Sequence, residues 1–218
     1  MALLHYAPPQ FPAFEILYQD DDLLVLNKPS GLLSVPGKAL EHKDSLQVRV
    51  QRVWPTATIV HRLDMATSGL MIMALNKPSH RHISKQFETR LVDKTYYARV
   101  FGHLEVLSGK VELPLICDWP NRPKQMVSFE HGKAACTHYE VVSTSHNTSL
   151  VKLTPITGRS HQLRVHMLSL GHPILGDRLY AHDQAKALSD RLCLHANKIS
   201  FTHPSTGEPL NFTSAFSF

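Results

Sequence analysis

The chain has 218 residues, enough to bury a substantial core, and its 43% hydrophobic and 19% charged content places it outside the composition of disordered chains. Three widely spaced cysteines with no CxxC pair argue against a cysteine-built zinc site and for a reducing compartment. Lys and Arg outnumber Asp and Glu by 23 to 18, and the resulting net charge of +5 favours an anionic partner, nucleic acid ahead of acidic lipid.

Residues 1–12 carry three prolines and read as an extended arm ahead of one domain, residues 13–218. The start lacks a charged region followed by a long apolar one, so no signal peptide is expected. FEILYQDDDLLVLNKPSGLLSVPG (Phe14 to Gly37) reads as two short strands around Asp20, Asp21 and Asp22, then a Pro/Gly loop. The acidic triplet fits a solvated hairpin turn. SLQVRVQRVW (Ser45 to Trp54) suits a helix with Leu46, Val50 and Val53 on one face and Arg49 and Arg52 on another, stopped by Pro55.

IVHRLDMATSGLMIMALNK (Ile59 to Lys77) places three ionisable groups and a Thr-Ser-Gly turn between two segments that both look buried. Its apolar run, Leu70 to Leu75, is too short to span a bilayer, so a soluble cytoplasmic protein with no membrane partner is expected. SHRHISKQFETR (Ser79 to Arg90) predicts a helix capped by Ser79, and DKTYYARVFG a strand. GKVELPL, THYEVVST and LVKLTPITG predict further strands. SHQLRVHMLSLG (Ser160 to Gly171) predicts a helix capped by Ser160 and closed by Gly171. LCLHANKISF and EPLNFTS finish as strands. Strands outnumber helices and are joined mostly by turns, so the expected fold is α+β: a mixed, mainly antiparallel central sheet flanked by helices and loops. No G-x-G-x-x-G or Walker-type loop occurs, and no nucleotide cofactor is expected.

Asp64, before the Thr-Ser-Gly turn, fits a turn cap whose carboxylate accepts backbone N–H groups. The adjacent Arg62 supports a second reading: an ionised carboxylate able to act as nucleophile or to stabilise a sugar oxocarbenium ion. Arg164 shares a helical face with His161, Val165 and Leu168. A charge among apolar neighbours needs a partner, for which Asp64 is the candidate; the alternative is an arginine with its stem packed and its head in water. Tyr96 and Tyr97 face opposite sides of a strand, so one suits the core and the other a cleft. None of the 15 histidines falls in an HExxH pattern. His61, His161 and His166 read as hydrogen-bonding residues, and no metal is expected. Arg81, Lys85, Arg90, Lys94, Arg122 and Lys124, with the non-regular CDWPNRPKQ, suit a phosphate-gripping surface or a solvated face.

Taken together, HRLDMATSGL, KTYYARVFG, ITGRSHQLRVHMLSLGHPILGDRLY and LCLHA resemble the RluA family of pseudouridine synthases in order, spacing and wording, from Asn27 to about Phe201. His61 ahead of Arg-Leu-Asp favours that family over relatives with Gly there. No counterpart of the N-terminal RNA-binding domain of larger members is expected, and ICDWPNRPKQ resembles the dual-specificity members that act on 23S rRNA and tRNA. The resemblance implies a pseudouridine synthase fold with an RNA-binding cleft, no cofactor and a monomer. It makes Asp64 the catalytic aspartate, Arg164 its partner, and Tyr96 the ring that stacks on the target uracil and takes part in proton transfer. Arg62 would enter the RNA stack and displace the uridine, and Leu194 would line the apolar wall under the base. The substrates would be 23S rRNA and tRNA stem-loops. A non-catalytic RNA-binding or RNA-folding protein on the same scaffold, and a nucleoside glycosidase, are the alternatives.

Overall fold

The apolar run after Gly69 forms the strand Ser68–Ala74, and all seven of its residues are buried. A strand covered on both faces needs no alternation, which is why its sequence reads as a continuous run. The structure, a computed structural model, describes residues 6–218, so the first five residues of the expected arm lie outside the described residues. Among the described residues there are twelve strands and four α-helices, an α+β fold in which the described registers are antiparallel. No helix of the described residues is long and apolar enough to cross a membrane. The chain divides into two compact units, residues 6–94 with 196–217 and residues 95–195 with Phe218.

The first unit holds β1 (Glu15–Gln19), β2 (Leu23–Lys28), α1 (Leu46–Gln51), β3 (Thr58–Ile59), β4 (Ser68–Ala74) and α2 (Lys77–Glu88). β2 pairs with both β1 and β4, and β3 pairs with β4. Leu23, Val25, Leu70, Ile72, Ile83 and Phe201 form its core, so α2 covers the sheet through Ile83. Helix α1 has the expected cap, Ser45, but stops at Gln51, leaving Val53 61% exposed. Arg49 is not on an outer face. It is buried, donating to the Asp44 carboxylate and to the carbonyls of Pro9 and Ala13. Helix α2 starts two residues earlier than expected because Asn76, not Ser79, accepts the capping N–H. Ser79 instead donates to Asp22.

That contact corrects the reading of the acidic triplet. Only Asp21 is exposed. Asp20 accepts the N–H groups of Asp22 and Leu23. Asp22 accepts from Asn76, Ser79 and Ser205, and these donors pull its carboxyl down to about 2. The turn ties the start of α2 to the chain after residue 202.

The second unit contains β5 (Asp93–Phe101), β6 (Ser108–Val111), β7 (Leu115–Cys117), β8 (Gln125–Val127), β9 (Thr137–Ser145), β10 (Thr148–Pro155), α3 (Gln162–Ser169) and α4 (Asp183–Ala187). The order β5-β10-β9-β6 is antiparallel throughout. The unit boundaries fall inside β5 and inside β11 (Leu194–Thr202), which pairs in the first unit with β12 (Pro209–Thr213). The CDWPNRPKQ segment, expected to be non-regular, is the tip of a hairpin: β7 and β8 pair and pack on α3 through Leu115, Ala135 and Val165. Helix α3 starts after His161 in a left-handed conformation, so Ser160 is not its cap. No side chain caps its first turn; the Gln162 side chain instead accepts Arg159 N–H, in the chain leading into the helix. Gly171 closes the helix at φ +86° as expected.

Candidate active site

Asp64 sits half-buried in the loop between β3 and β4. The turn after it closes through the main chain: Thr67 N–H donates to the Asp64 carbonyl at 3.1 Å. The loop rests in a sling made by residues 28–34. Ser34 Oγ donates to Leu63 O and accepts from Leu63 N–H. Ser30 Oγ donates to Ala66 O, and Gly31 N–H donates to Met65 O. Lys28 Nζ donates to the carbonyls of Pro29, Leu32 and Met65 at 2.7 to 3.1 Å. On the far side the loop meets β4, where Gly69 adopts φ +114° and a Cβ would fall inside the backbone of Ala196. Only glycine permits that approach.

Lys28 is fully buried, and burial pulls its ammonium down to about 7, opposed by the charge of Asp64. Its three N–H groups have three carbonyl acceptors, the geometry of an ammonium ion with all donors used. His61 works differently. Its Nε2 accepts Ile72 N–H at 2.9 Å, so the ring proton belongs on Nδ1. The ring stacks on Phe87 at 4.5 Å. Burial, then the nearby Lys94 charge, take its pKa down to about 3. His61 is thus the neutral strut expected from the sequence, and Arg62 beside it is exposed.

Tyr96, Arg164 and Leu194 belong to the second unit, Arg62 and Asp64 to the first. Tyr96 lies opposite Leu153 on β10, on the face of β5 shared with buried Ala98, while Tyr97 lies on the other face opposite Lys152. Leu194 opens β11 and is buried. Arg164 is only 4% exposed, so the reading of a head in water is wrong. Its Nε and Nη2 donate to the two carboxylate oxygens of Asp177 at 2.8 and 2.7 Å. Asp177 is a partner the sequence reading missed. It lies 13 residues away, in a Gly/Pro loop whose only local signal is Gly176, at φ +68° with a Cβ forbidden by the Arg191 backbone.

His161 and His166 are hydrogen-bonded, to Tyr180 and to Thr137 with Leu113 O. Asp20, Asp22 and His203 bring ligand-type atoms within 4.8 Å of one another. His203 Nδ1 already accepts from Ser205 and Thr206 N–H, which leaves the proton on Nε2, donated to Asp20 at 2.8 Å. Such a ring offers no lone pair to a cation, and the cluster reads as a clamp. A cavity of 750 Å³ over β6, β9 and β10 is lined by Lys152 and Glu140, which pair with each other, and by none of the expected site residues.

Comparison with known proteins agrees with the motifs. The RNA pseudouridylate synthase family matches residues 22–169. The dual-specificity RNA pseudouridine synthase RluA of Escherichia coli K12 is 57% identical over 219 residues, covering all of both chains. Its Yersinia pestis counterpart is 60% identical over 198 residues, 90% of this chain and 96% of that one. Among solved structures, human RNA pseudouridylate synthase domain containing 1 superposes with a TM-score of 0.78 at 28% identity, over 93% of this chain and 83% of the human one.

Proposed function

The chain belongs to the RNA pseudouridylate synthase family, and we propose that Asp64 is its catalytic carboxylate, acting at the sugar of a flipped uridine in 23S rRNA and tRNA stem-loops. The protein is an RNA pseudouridine synthase, an isomerase that converts uridine to pseudouridine within RNA. The reaction breaks the C1′–N1 bond, turns the uracil and forms C1′–C5. It needs neither a redox partner nor an activated phosphate. C1′ becomes electron-poor as the base departs, so an ionised carboxylate beside it lowers the barrier.

The observation that carries the assignment of Asp64 is the sling. Four side-chain and backbone donors from residues 28–34, Lys28 Nζ, Ser30 Oγ, Gly31 N–H and Ser34 Oγ, hold the carbonyls of Leu63, Met65 and Ala66, on either side of Asp64. A surface turn needs no such frame; a carboxylate held for chemistry does. Within the same reading Tyr96 stacks on the uracil and moves a proton, Arg164 orients the carboxylate, Arg62 displaces the nucleotide, and Leu194 lines the base. Support for these four is the residue-by-residue match to the family motifs. Residues 13–218 act as one catalytic domain, working as a monomer in the cytoplasm without a cofactor.

The test is Asp64→Asn. Pseudouridine mapping of 23S rRNA and tRNA should lose its signal in cells carrying the variant, while the purified variant still binds an anticodon stem-loop. Retained isomerisation would remove Asp64 from the chemistry. Release of free uracil from RNA would instead favour a glycosidase.

A further inference from the structure

Tyr180 stands at the junction of three elements of the second unit. Its hydroxyl oxygen accepts the N–H of Gln125, the first residue of β8, at 2.7 Å. The same hydroxyl meets His161 Nδ1, at the head of α3, at 2.6 Å. A phenol hydroxyl both donates and accepts, so it serves the hairpin and the head of α3 at once. The ring carries the Arg164 guanidinium 5.0 Å from its centroid. Tyr180 N–H donates to Asp177 Oδ1, the oxygen that Arg164 Nη2 also engages. The ring edge packs on Leu115, Ala135 and Val165, which join the hairpin to α3.

Two features argue that this junction serves function as well as packing. His161 is a non-glycine residue at φ +54°, a conformation that persists only where surroundings impose it, and the Tyr180 contact supplies that constraint. The hairpin it anchors displays Trp119, 66% exposed, with the Arg122 guanidinium stacked 4.6 Å over its ring. Asn121 donates to both Asp118 oxygens, and Asp118 and Lys124 exchange with the turn through backbone bonds, so the tip is stiff. An exposed aromatic with an arginine on its face, on a stiff loop, is a platform for an unpaired base.

We propose that Tyr180 is a positioning residue with two separable parts: its hydroxyl fixes the β7–β8 hairpin to the head of α3, so that Trp119 and Arg122 meet the RNA, and its ring holds Arg164. The proposal rests on the RNA synthase reading above. Tyr180→Phe keeps the ring and removes the anchor. Tyr180→Leu removes both.

Steady-state kinetics on an anticodon stem-loop separate the parts. Loss of the hydroxyl's two anchoring hydrogen bonds in Tyr180→Phe should raise KM about fivefold with kcat within about twofold of wild type. Tyr180→Leu should in addition lower kcat about tenfold. In a Trp119→Ala/Arg122→Ala background, Tyr180→Phe should change nothing further, because the residues it positions are gone. A purely structural tyrosine would lower the melting temperature without this KM shift or this non-additivity. His161→Asn, which tolerates the left-handed backbone and loses the ring contact, should reproduce the KM shift if Tyr180→Phe folds poorly. Unchanged KM in both variants, or full additivity with the hairpin double variant, would overturn the positioning role alone. A wild-type protein that forms no pseudouridine would overturn the enzymatic reading instead.

Discussion

Lys28, buried beneath the Asp64 loop, and His61, half-buried within it, make opposite demands. His61 must stay neutral because its Nε2 is an acceptor. In the folded chain its pKa lies near 3; in the unfolded chain an imidazole titrates near ~6.5. Between those values the unfolded state binds the extra proton, so stability rises with pH through the window and is lost as pH falls from the unfolded value toward 3. Going from pH 7 to pH 5 should cost about 2 kcal/mol through this group alone. His61→Gln offers an amide oxygen to Ile72 N–H and has no proton to gain, so denaturant unfolding at the two pH values should show a smaller drop. An equal drop would place the acid sensitivity elsewhere. Lys28, by contrast, must donate. Lys28→Met leaves the carbonyls of Pro29 and Leu32 without this donor in a buried site, a loss of about 3 kcal/mol. Calorimetry should show that loss, and kcat should fall with it, since Met65 O beside Asp64 is held by the same ammonium.

At the level of elements, Gly69 sets how closely β4 approaches Ala196. Gly69→Ala combines a forbidden φ with a Cβ inside backbone atoms, so the variant should fail to accumulate as folded protein; soluble expression with a cooperative melt would contradict that. The Thr-Ser-Gly motif was legible because its signal is local, and so were β4, β5 and the strand–turn–strand at Asp20 to Asp22. What stayed hidden depended on distance or on competition. Ser79 and Asn76 are both good caps, and the choice between them was made by Asp22, 57 residues from Ser79. The β7–β8 hairpin has strands of three residues around a proline-rich tip, too short for any periodicity. Asp177 became the partner of Arg164 only when the loop after α3 folded back. Residue type alone leaves Asp64 readable as a turn cap and does not choose between Tyr96 and Tyr97; the roles of Asp64, Arg62 and Tyr96 come from the family resemblance, whereas the sling beneath Asp64 needs coordinates: nothing in KPSGLLS says that its serines point at the carbonyls of 63 and 66.

For the whole molecule, the net charge of +5 predicts RNA affinity that falls with salt, and the slope distinguishes two kinds of arginine and lysine. A cation on a phosphate releases counterions when it binds; on single-stranded RNA, removing one should reduce the log–log slope by about 0.7. A side chain that enters the base stack releases few. Arg62, next to Asp64 and exposed, belongs to the second kind if it displaces the uridine. Lys124, on the hairpin, belongs to the first if that surface grips phosphates. Binding of an anticodon stem-loop measured across a salt series should therefore show a shallower slope for Lys124→Ala and an unchanged slope for Arg62→Ala. Single-turnover isomerisation should show the reverse, a slow step in Arg62→Ala and a near-normal one in Lys124→Ala at saturating RNA. If Arg62→Ala instead flattens the salt slope and isomerises at the wild-type rate, the arginine grips the backbone and its role in displacing the uridine falls.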